Sequence, residues 1–561
     1  MAEFEQVGLL QVPSDFLRYP DSPSRGPGAA IAGRECLRAL LTYAETKVIL
    51  ITSETSSEDL QNELRYLSTL SDEFDKLPYQ IAPFSQMPQI LSNNQILALH
   101  NLNGPFFYTT AYARSQWNKG VLLPITCMEY GFSYQDFLYD AIVHLLLADT
   151  YPCDALICTT EVAKKATINI LERLRDYLRC SYNCTLPEPF QLAVIPHGVD
   201  ADLFKPRDKA DMRILLELPK DKILILFVGR IDPASKSDVI PLLMAFRRIV
   251  DAHGDKVRLL LVGPISETYK VVLDSALKEL NLTPFVIFRT NIPKVSVSLY
   301  YSAADIFVSL SDTLQENFGL TPLEAMASGL PVIVSDWAGY RESVVHGKTG
   351  FKVPTLWGKC DETLCLFAPF YDWTSDHFFI AQSVAIDLPS LVHFLDILIT
   401  NDDLRFRMGE MAREHVLHNY AWHKVTHQFF TLWRELKAIA THFSLSRRNT
   451  FIRPHYFHDF RHFVTEIMDG DALLRVTKQG HQICHRKTKL LLLEDPRNLI
   501  RPEIVIKLLR FIRYCNILRF PLTVQQIETI LHRKWGLLPE ESRRYLLWAC
   551  KYGLVRIEKE A

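Results

Sequence analysis

Five short, almost wholly apolar runs recur through the middle of the chain, each followed by a stretch long enough for a helix. They are Lys222-Ile-Leu-Ile-Leu-Phe-Val-Gly229, Arg258-Leu-Leu-Leu-Val-Gly263, Phe285-Val-Ile-Phe288, Asp305-Ile-Phe-Val-Ser309 and Pro331-Val-Ile-Val-Ser335. A strand with no polar side to turn toward water must be covered on both faces. A parallel sheet wrapped by its own crossover helices does this. The chain opens in the same order. Gly8–Val12 reads as a strand, Pro20–Gly28 as a Pro/Ser/Gly loop, Ala29–Tyr43 as a helix and Lys47–Thr52 as a buried strand. Asp154–Cys158 is a further strand, and Thr159-Thr160-Glu161 caps a helix that runs to about Arg179.

The expected fold class is α/β, with two tandem Rossmann-like domains. Val194-Ile-Pro-His-Gly-Val-Asp200 leads into the second, and helices at Asp402–Leu417 and Trp422–Ala440 close it. Boundaries are expected at 1–203, 204–445 and 446–561, with the last helix of the second domain crossing back to the first. A hydrophobic content of 48% and a charged content of 22% exclude global disorder. The apolar runs are too short to cross a bilayer. The opening Met-Ala-Glu-Phe-Glu has no basic start and no apolar signal core, so the expectation is a cytoplasmic protein. The 11 cysteines are an odd number without metal-ligand spacing, which predicts reduced, mostly buried thiols and no metal site.

Charge divides the chain. From Arg447 to Ala561 there are 22 Lys and Arg against 12 Asp and Glu, while the rest carries 40 against 52. An acidic body and a basic tail point to a separate module with its own partner. In the tail His455–Met468 is expected as a helix rich in His and aromatics, and Pro502–Cys515 as a basic amphipathic helix. Leu522–Lys534, Pro539–Tyr552 and Leu554–Ile557 follow as helix, helix and strand, a winged-helix-like order.

The segment from Ser311 to Asp336 carries the most chemistry. It reads as strand, loop, short helix and strand, with Thr321 at the N-cap, Pro322 at the first helical position and Gly329 at the end. Backbone N–H groups from about Phe318 to Leu323 are then left to face an anion, and Gly319 admits a close approach. Glu316 and Glu324 flank this helix start. Glu324 also fits a capping box with Thr321, and Glu316 also reads as a solvated loop charge.

The string from Glu316-Asn-Phe-Gly-Leu-Thr-Pro-Leu-Glu324 through Trp337-Ala-Gly339-Tyr-Arg341-Glu342 and Gly347-Lys-Thr-Gly350 resembles the Glu-x7-Glu motif of family 4 retaining glycosyltransferases. Ile195-Pro-His-Gly-Val-Asp200 resembles that family's entry to its second domain, Phe227–Lys236 its basic donor-phosphate motif, and Asp403–Gly409 its C-terminal segment. The resemblance covers roughly residues 5–440 and leaves 446–561 unassigned. It implies two Rossmann-like domains of the GT-B type and a hexosyltransferase using a nucleotide-sugar donor, a UDP-sugar ahead of GDP-mannose. It implies that Arg230 and Lys236 counter the diphosphate charge and that Glu316 contacts sugar hydroxyls. Glu324 would hold the ribose. Asn317, Phe318, Gly319, Leu320, Thr321, Gly229, Gly263, Gly26 and Gly28 would line the donor. The chemistry implied is metal-independent front-face substitution, with no cofactor beyond the nucleotide-sugar co-substrate.

Two departures stand out. Ser237 follows Lys236 where the family commonly has Gly, with one extra residue after the Arg. The first-domain His that contacts the donor sugar is absent; Tyr130, beside Glu129, stands in its place as the remaining catalytic candidate. His100 and His144 read as packed or surface residues.

Other readings on this fold are a sugar-nucleotide-binding protein, an epimerase or phosphorylase, and a catalytically dead scaffold. Another is a bifunctional transferase whose winged-helix tail binds nucleic acid or a peptide. The acceptor is expected to be a glycan, peptide or lipid-linked hydroxyl. The basic tail suits acceptor binding or peripheral contact with the inner membrane face, through Arg510 and its neighbours, ahead of nucleic acid.

Overall fold

The structure, a computed structural model, describes residues 6–10, 27–53, 79–93, 95–102, 104, 107–131, 135–186, 190–234, 236–290, 292–371, 375–445, 455–485, 490 and 500–558. It divides into two compact units, Met1–Asn449 and Thr450–Ala561.

Unit 1 holds two parallel sheets. The first has seven strands: β1 (Gln6–Leu10), β2 (Lys47–Thr52), β3 (Tyr79–Pro83), β4 (Ile96–Asn101), β5 (Ile125–Met128), β6 (Ala155–Cys158) and β7 (Gln191–Val194), in the order β3-β2-β1-β4-β5-β6-β7. The second has six: β8 (Ile223–Val228), β9 (Val257–Val262), β10 (Val286–Arg289), β11 (Ile306–Ser309), β12 (Val332–Ser335) and β13 (Gly350–Val353), in the order β10-β9-β8-β11-β12-β13. The five apolar runs are five neighbouring strands of this second sheet. Four of them, β8, β9, β11 and β12, are almost wholly buried, as strands covered on both faces must be.

In the second sheet the chain runs from β8 outward through β9 and β10, then returns to β11 on the other side of β8. The loops after β8 and β11 therefore diverge at one point on the C-terminal edge, where open α/β sheets bind ligands.

The helix Trp422–Ala440 has the bounds that its pattern predicts. Its Trp422, Val425, Phe429, Phe430 and Trp433 complete the core of the first sheet alongside Val7, Leu9, Leu37 and Leu50. Trp433 Nε1 donates to Thr126 Oγ1 on β5 at 2.9 Å, and His100 Nδ1 meets the same hydroxyl at 2.9 Å. His100 is thus a packed core residue; burial depresses its pKa to about 3.

Several sequence expectations shift. The first strand lies two residues earlier than Gly8–Val12, and Val12 lies outside the described residues. Thr160 does cap its helix, accepting from Ala163 N at 3.0 Å, and that helix runs on to Tyr182. Of the 11 cysteines five are buried, whereas Cys180, Cys360 and Cys365 are exposed. Between β13 and the helix Leu388–Thr400 the chain inserts β14 (Thr355–Trp357), two short helices (Glu362–Phe367 and Ser375–Ala381) and β15 (Val384–Ile386), which pairs antiparallel with β14.

Unit 2 packs the helices Pro502–Ile517, Val524–Trp535 and Pro539–Lys551 around Leu474, Val505, Leu508, Leu531 and Leu546, with β16 (Leu473–Val476) antiparallel to β17 (Val555–Glu558). A further short helix, Lys478–Cys484, packs Ile483 and Cys484 on the same core. Only a short helix, Tyr456–Phe460, and one 3-10 turn, Arg461–Phe463, stand where a helix over His455–Met468 is expected. Residues 455–467 are all exposed and only Met468 at the end packs on the core, so no packing surface supports a longer helix.

The Arg114 guanidinium is fully buried and bidentate on Asp154, at 2.7 and 3.0 Å, and Asp154 also accepts from Ile125 N and Tyr151 N at 2.8 Å each. This joins β5, β6 and the helix Phe107–Trp117. Arg114→Leu would strand a buried carboxylate, and the expected cost is about 3–5 kcal/mol. Urea unfolding of the variant checks this.

Candidate active site

The loop after β8 is short and anchored. Gly229 continues the strand edge by donating to Val262 O at 3.0 Å, and Gly263 lies against it. A Cβ on Gly263 would stand 1.9 Å from Gly229 O, so only glycine fits where these strand ends touch. Beyond Gly229 and Arg230 the chain folds back on itself: Asp232 O accepts from Lys236 N at 2.9 Å and from Ser237 N at 3.0 Å. Ser237, buried, donates its hydroxyl to Leu310 O at 3.1 Å, and Ser311 Oγ donates to Lys236 O at 3.0 Å. The serine that departs from the family pattern thus pins the lysine loop to the end of β11.

These anchors deliver the Lys236 ammonium to the Glu316 carboxylate, 80 positions later, where the two form an ion pair. Glu316 is only 6% exposed, so it is no solvated loop charge. Its Oε2 also accepts from Tyr340 OH at 3.1 Å, and Tyr340 OH lies 2.8 Å from Ser309 Oγ at the end of β11. Burial and the adjacent Glu316 push the Tyr340 phenol well above its usual range, so it remains a donor.

The helix after this loop spans Leu320–Ala327, with Gly319 at its N-cap at φ +94°. A Cβ there would stand 2.2 Å from the Tyr340 ring. This corrects the expected N-cap at Thr321: the left-handed glycine caps the helix and lets it begin two residues earlier, at Leu320 rather than Pro322. Pro322 then sits third, among N–H positions that have no intrahelical acceptor anyway. Glu324 forms no capping box. It is 7% exposed and accepts from Tyr301 OH at 2.8 Å in the core beneath the helix.

The other expected residues distribute as follows. Arg230 is half-buried beside Gly229. Phe318 is buried, and Leu320 and Thr321 stand in the first helical turn. Gly28 lies in the first turn of the helix Pro27–Thr42, and Gly26 lies outside the described residues. Tyr130 is half-buried, its ring stacked on His197 at 5.8 Å and its hydroxyl closed off from solvent. His197 also meets Phe318 at 5.6 Å and Trp422 at 6.0 Å edge-on, and burial lowers its pKa to about 4.

Asn317 joins the two sheets. Its Nδ2 donates to Glu129 Oε2 at 2.6 Å, just past β5, and to Thr159 Oγ1 at 3.3 Å, just past β6. Nearby, Glu342 accepts from the backbone N–H groups of Glu161 at 2.9 Å and Val162 at 2.7 Å, at the positive end of the helix Glu161–Tyr182. The sequence motif quoted Tyr340 and Glu342 without a role, and their long-range partners supply it. Gln315 Nε2 lies 3.0 Å from His377 Nδ1 of the insertion.

Residues 208–356 match the family model described as glycosyl transferases group 1. Over 174 residues the chain is 35% identical to the D-inositol 3-phosphate glycosyltransferase of Geodermatophilus obscurus, covering 30% of this chain and 37% of that one. Over 172 residues it is 32% identical to the protein of that name from Acidothermus cellulolyticus, covering 30% and 38%. The chain thus spans less than two fifths of the length of these curated relatives. Sucrose-phosphate synthase from Thermosynechococcus elongatus shares the fold with a TM-score of 0.50 at 21% identity, over 78% of this chain and all of that one. Anabaena HepE, solved with UDP, gives 0.50 at 15% identity, over 76% and 98%. Unit 1 therefore has the GT-B arrangement of two Rossmann-like domains, and the matched segment contains Arg230, Lys236, Glu316 and Glu324.

Two buried carboxyls at the site give it a pH signature. Burial pushes Glu129 up to about 8, against the lowering effect of Asn317, and burial with Asp238 nearby pushes Asp312 up to about 8. A carboxyl kept protonated in the native state ionises first in the unfolded chain. Native stability therefore falls as pH rises from about 4.5 toward about 8. Glu129→Gln, whose amide oxygen can still accept from Asn317, is expected to flatten part of that fall. Urea midpoints at pH 5, 6.5 and 8 check it.

Proposed function

We propose that the chain is a retaining glycosyltransferase that moves a hexose from a nucleotide-sugar, a UDP-sugar ahead of GDP-mannose, to an acceptor hydroxyl. The observation that carries this reading is the meeting of Lys236 and Glu316 at the switch point of the second sheet, against a helix start, inside the group 1 match.

In this reading the diphosphate lies against the N–H groups that open the helix Leu320–Ala327, with Arg230 and Lys236 countering its charge. The bond between sugar C1 and the diphosphate oxygen breaks as the acceptor oxygen bonds C1 on the same face. The acceptor proton passes to the departing diphosphate oxygen, which leaves as the nucleoside diphosphate. The charge that builds on that oxygen is what fixed cations stabilise most. Glu316, fixed by Tyr340 and Lys236, offers its remaining acceptor capacity to sugar hydroxyls, and the first-domain loops supply the acceptor side. The acceptor is a glycan, peptide or lipid-linked hydroxyl, and the last of these suits peripheral contact with the inner face of a membrane.

Lys236→Ala and Glu316→Gln are each expected to lower sugar transfer at least about 100-fold, as loss of one charge-stabilising group does. Glu316→Gln should keep the wild-type melting temperature, because an amide still accepts from Tyr340. Near-normal transfer by either purified variant counts against the assignment. A thermal-shift screen of UDP-, GDP-, ADP- and dTDP-sugars tests donor binding: one of them should raise the midpoint by mass action, and no rise with any of them refutes the reading.

A further inference from the structure

Unit 2 carries an apolar tip on a cationic collar. On the helix Pro502–Ile517 the residues Ile504, Val505, Leu508, Leu509 and Ile512 face the core. Lys507, Arg510, Tyr514 and Ile517 recur at helical spacing on the other side, cationic first and apolar toward the C-terminus. The chain then turns through Leu518, Arg519 and Phe520, with Arg519 at φ +58°. Tyr514, Ile517, Leu518 and Phe520 are 57–76% exposed. Isolated exposed apolar residues are ordinary, but four within seven positions at one helix end are not.

Cations gather beside them. Arg533 and Lys534 close the neighbouring helix Val524–Trp535, and Lys534 Nζ lies 5.4 Å from the centre of the Phe511 ring, which places that cationic end beside this helix. Among the described residues no carboxylate pairs with Lys507, Arg510, Arg519 or Arg533. Glu503 shares the helix but sits in its first turn, at the far end.

Nucleic acid fits this surface poorly. A recognition helix reads bases with its N-terminal residues. The corresponding helix here, Pro539–Lys551, opens with Glu540 and Glu541, and its Arg543 is bidentate on Glu528 at 2.7 and 3.1 Å. Exposed Ile517, Leu518 and Phe520 also have no part in gripping a phosphate backbone. A bilayer with anionic lipid uses both features at once, cations at the headgroups and apolar side chains at the acyl boundary.

We infer that this end of unit 2 docks on an anionic lipid surface, with Tyr514, Ile517, Leu518 and Phe520 entering the interface and Lys507, Arg510 and Arg519 against the headgroup phosphates. The docking stands or falls separately from sugar transfer by unit 1.

Sedimentation of the full chain with vesicles tests it, using phosphatidylcholine alone and phosphatidylcholine with about 30 mol % phosphatidylglycerol, a strongly anionic surface. The chain should partition onto the anionic vesicles, and added salt should weaken it. Arg510→Ala combined with Arg519→Ala should weaken that binding about 30-fold, at about 1 kcal/mol per cation. Ile517→Ser combined with Phe520→Ser should weaken it about tenfold or more through lost apolar burial. Both double variants should keep the melting temperature and any donor-induced shift of the parent. Equal binding to both vesicle types, vesicle binding untouched by either double variant, or capture by duplex DNA in place of vesicles overturns the inference. The salt titration reads the parent chain alone and needs neither variant to fold.

Discussion

Unit 1 takes the Glu316 carboxylate out of water, and the geometry around it follows from that. A buried carboxylate is tolerated only with charge and hydrogen bonds supplied to it. Lys236 brings the charge from the loop after β8, and Tyr340 brings the hydrogen bond from beyond β12. Each donor needs its own support. Ser237 and Ser311 pin the lysine loop to the end of β11, and Ser309 and the bare backbone of Gly319 seat the tyrosine. Three strand ends of one sheet are thus drawn to a single charge at the point where the chain reverses its direction across that sheet.

The same loop ties the two Rossmann-like domains together. Asn317 is covalently next to Glu316, yet its side chain is bonded to Glu129 and Thr159 of the first domain. Glu342 adds a second tie, placing a carboxylate at the positive end of the helix Glu161–Tyr182. His197, neutral because it is buried, fills the joint with Tyr130, Phe318 and Trp422. The Tyr130 ring is committed to that joint. A shift between the domains would act directly on the residue beside Glu316.

Unit 2 follows other rules. Its core is a compact set of Leu, Ile and Val, while its surface combines a cationic surplus with uncovered aromatic and aliphatic side chains. In the parallel sheets of unit 1, by contrast, the central apolar strands are covered on both faces. The contrast parallels the charge asymmetry, an acidic body and a basic tail.

Much of the fold could be read locally. Strands β8, β9, β11 and β12 are visible because a doubly covered strand is apolar at every position, and Trp422–Ala440 because its apolar stripe keeps the helical period to both ends. The Thr160 cap is likewise a contact three residues long. The expected helix over His455–Met468 failed because its aromatics have helical spacing but no surface to meet. The site was legible only as a string. Glu316, Lys236 and Gly319 could be named from their motif, but whether Glu324 capped its own helix or bonded Tyr301 could not. Sequence by itself determined the secondary elements and the chemical types at the site, since both depend on neighbours a few residues apart. Only the tertiary structure decided which carboxylate meets which donor. Those partners, such as Lys236 with Glu316 or Asn317 with Glu129, lie 80 and 188 positions apart and are matched by sheet order and burial.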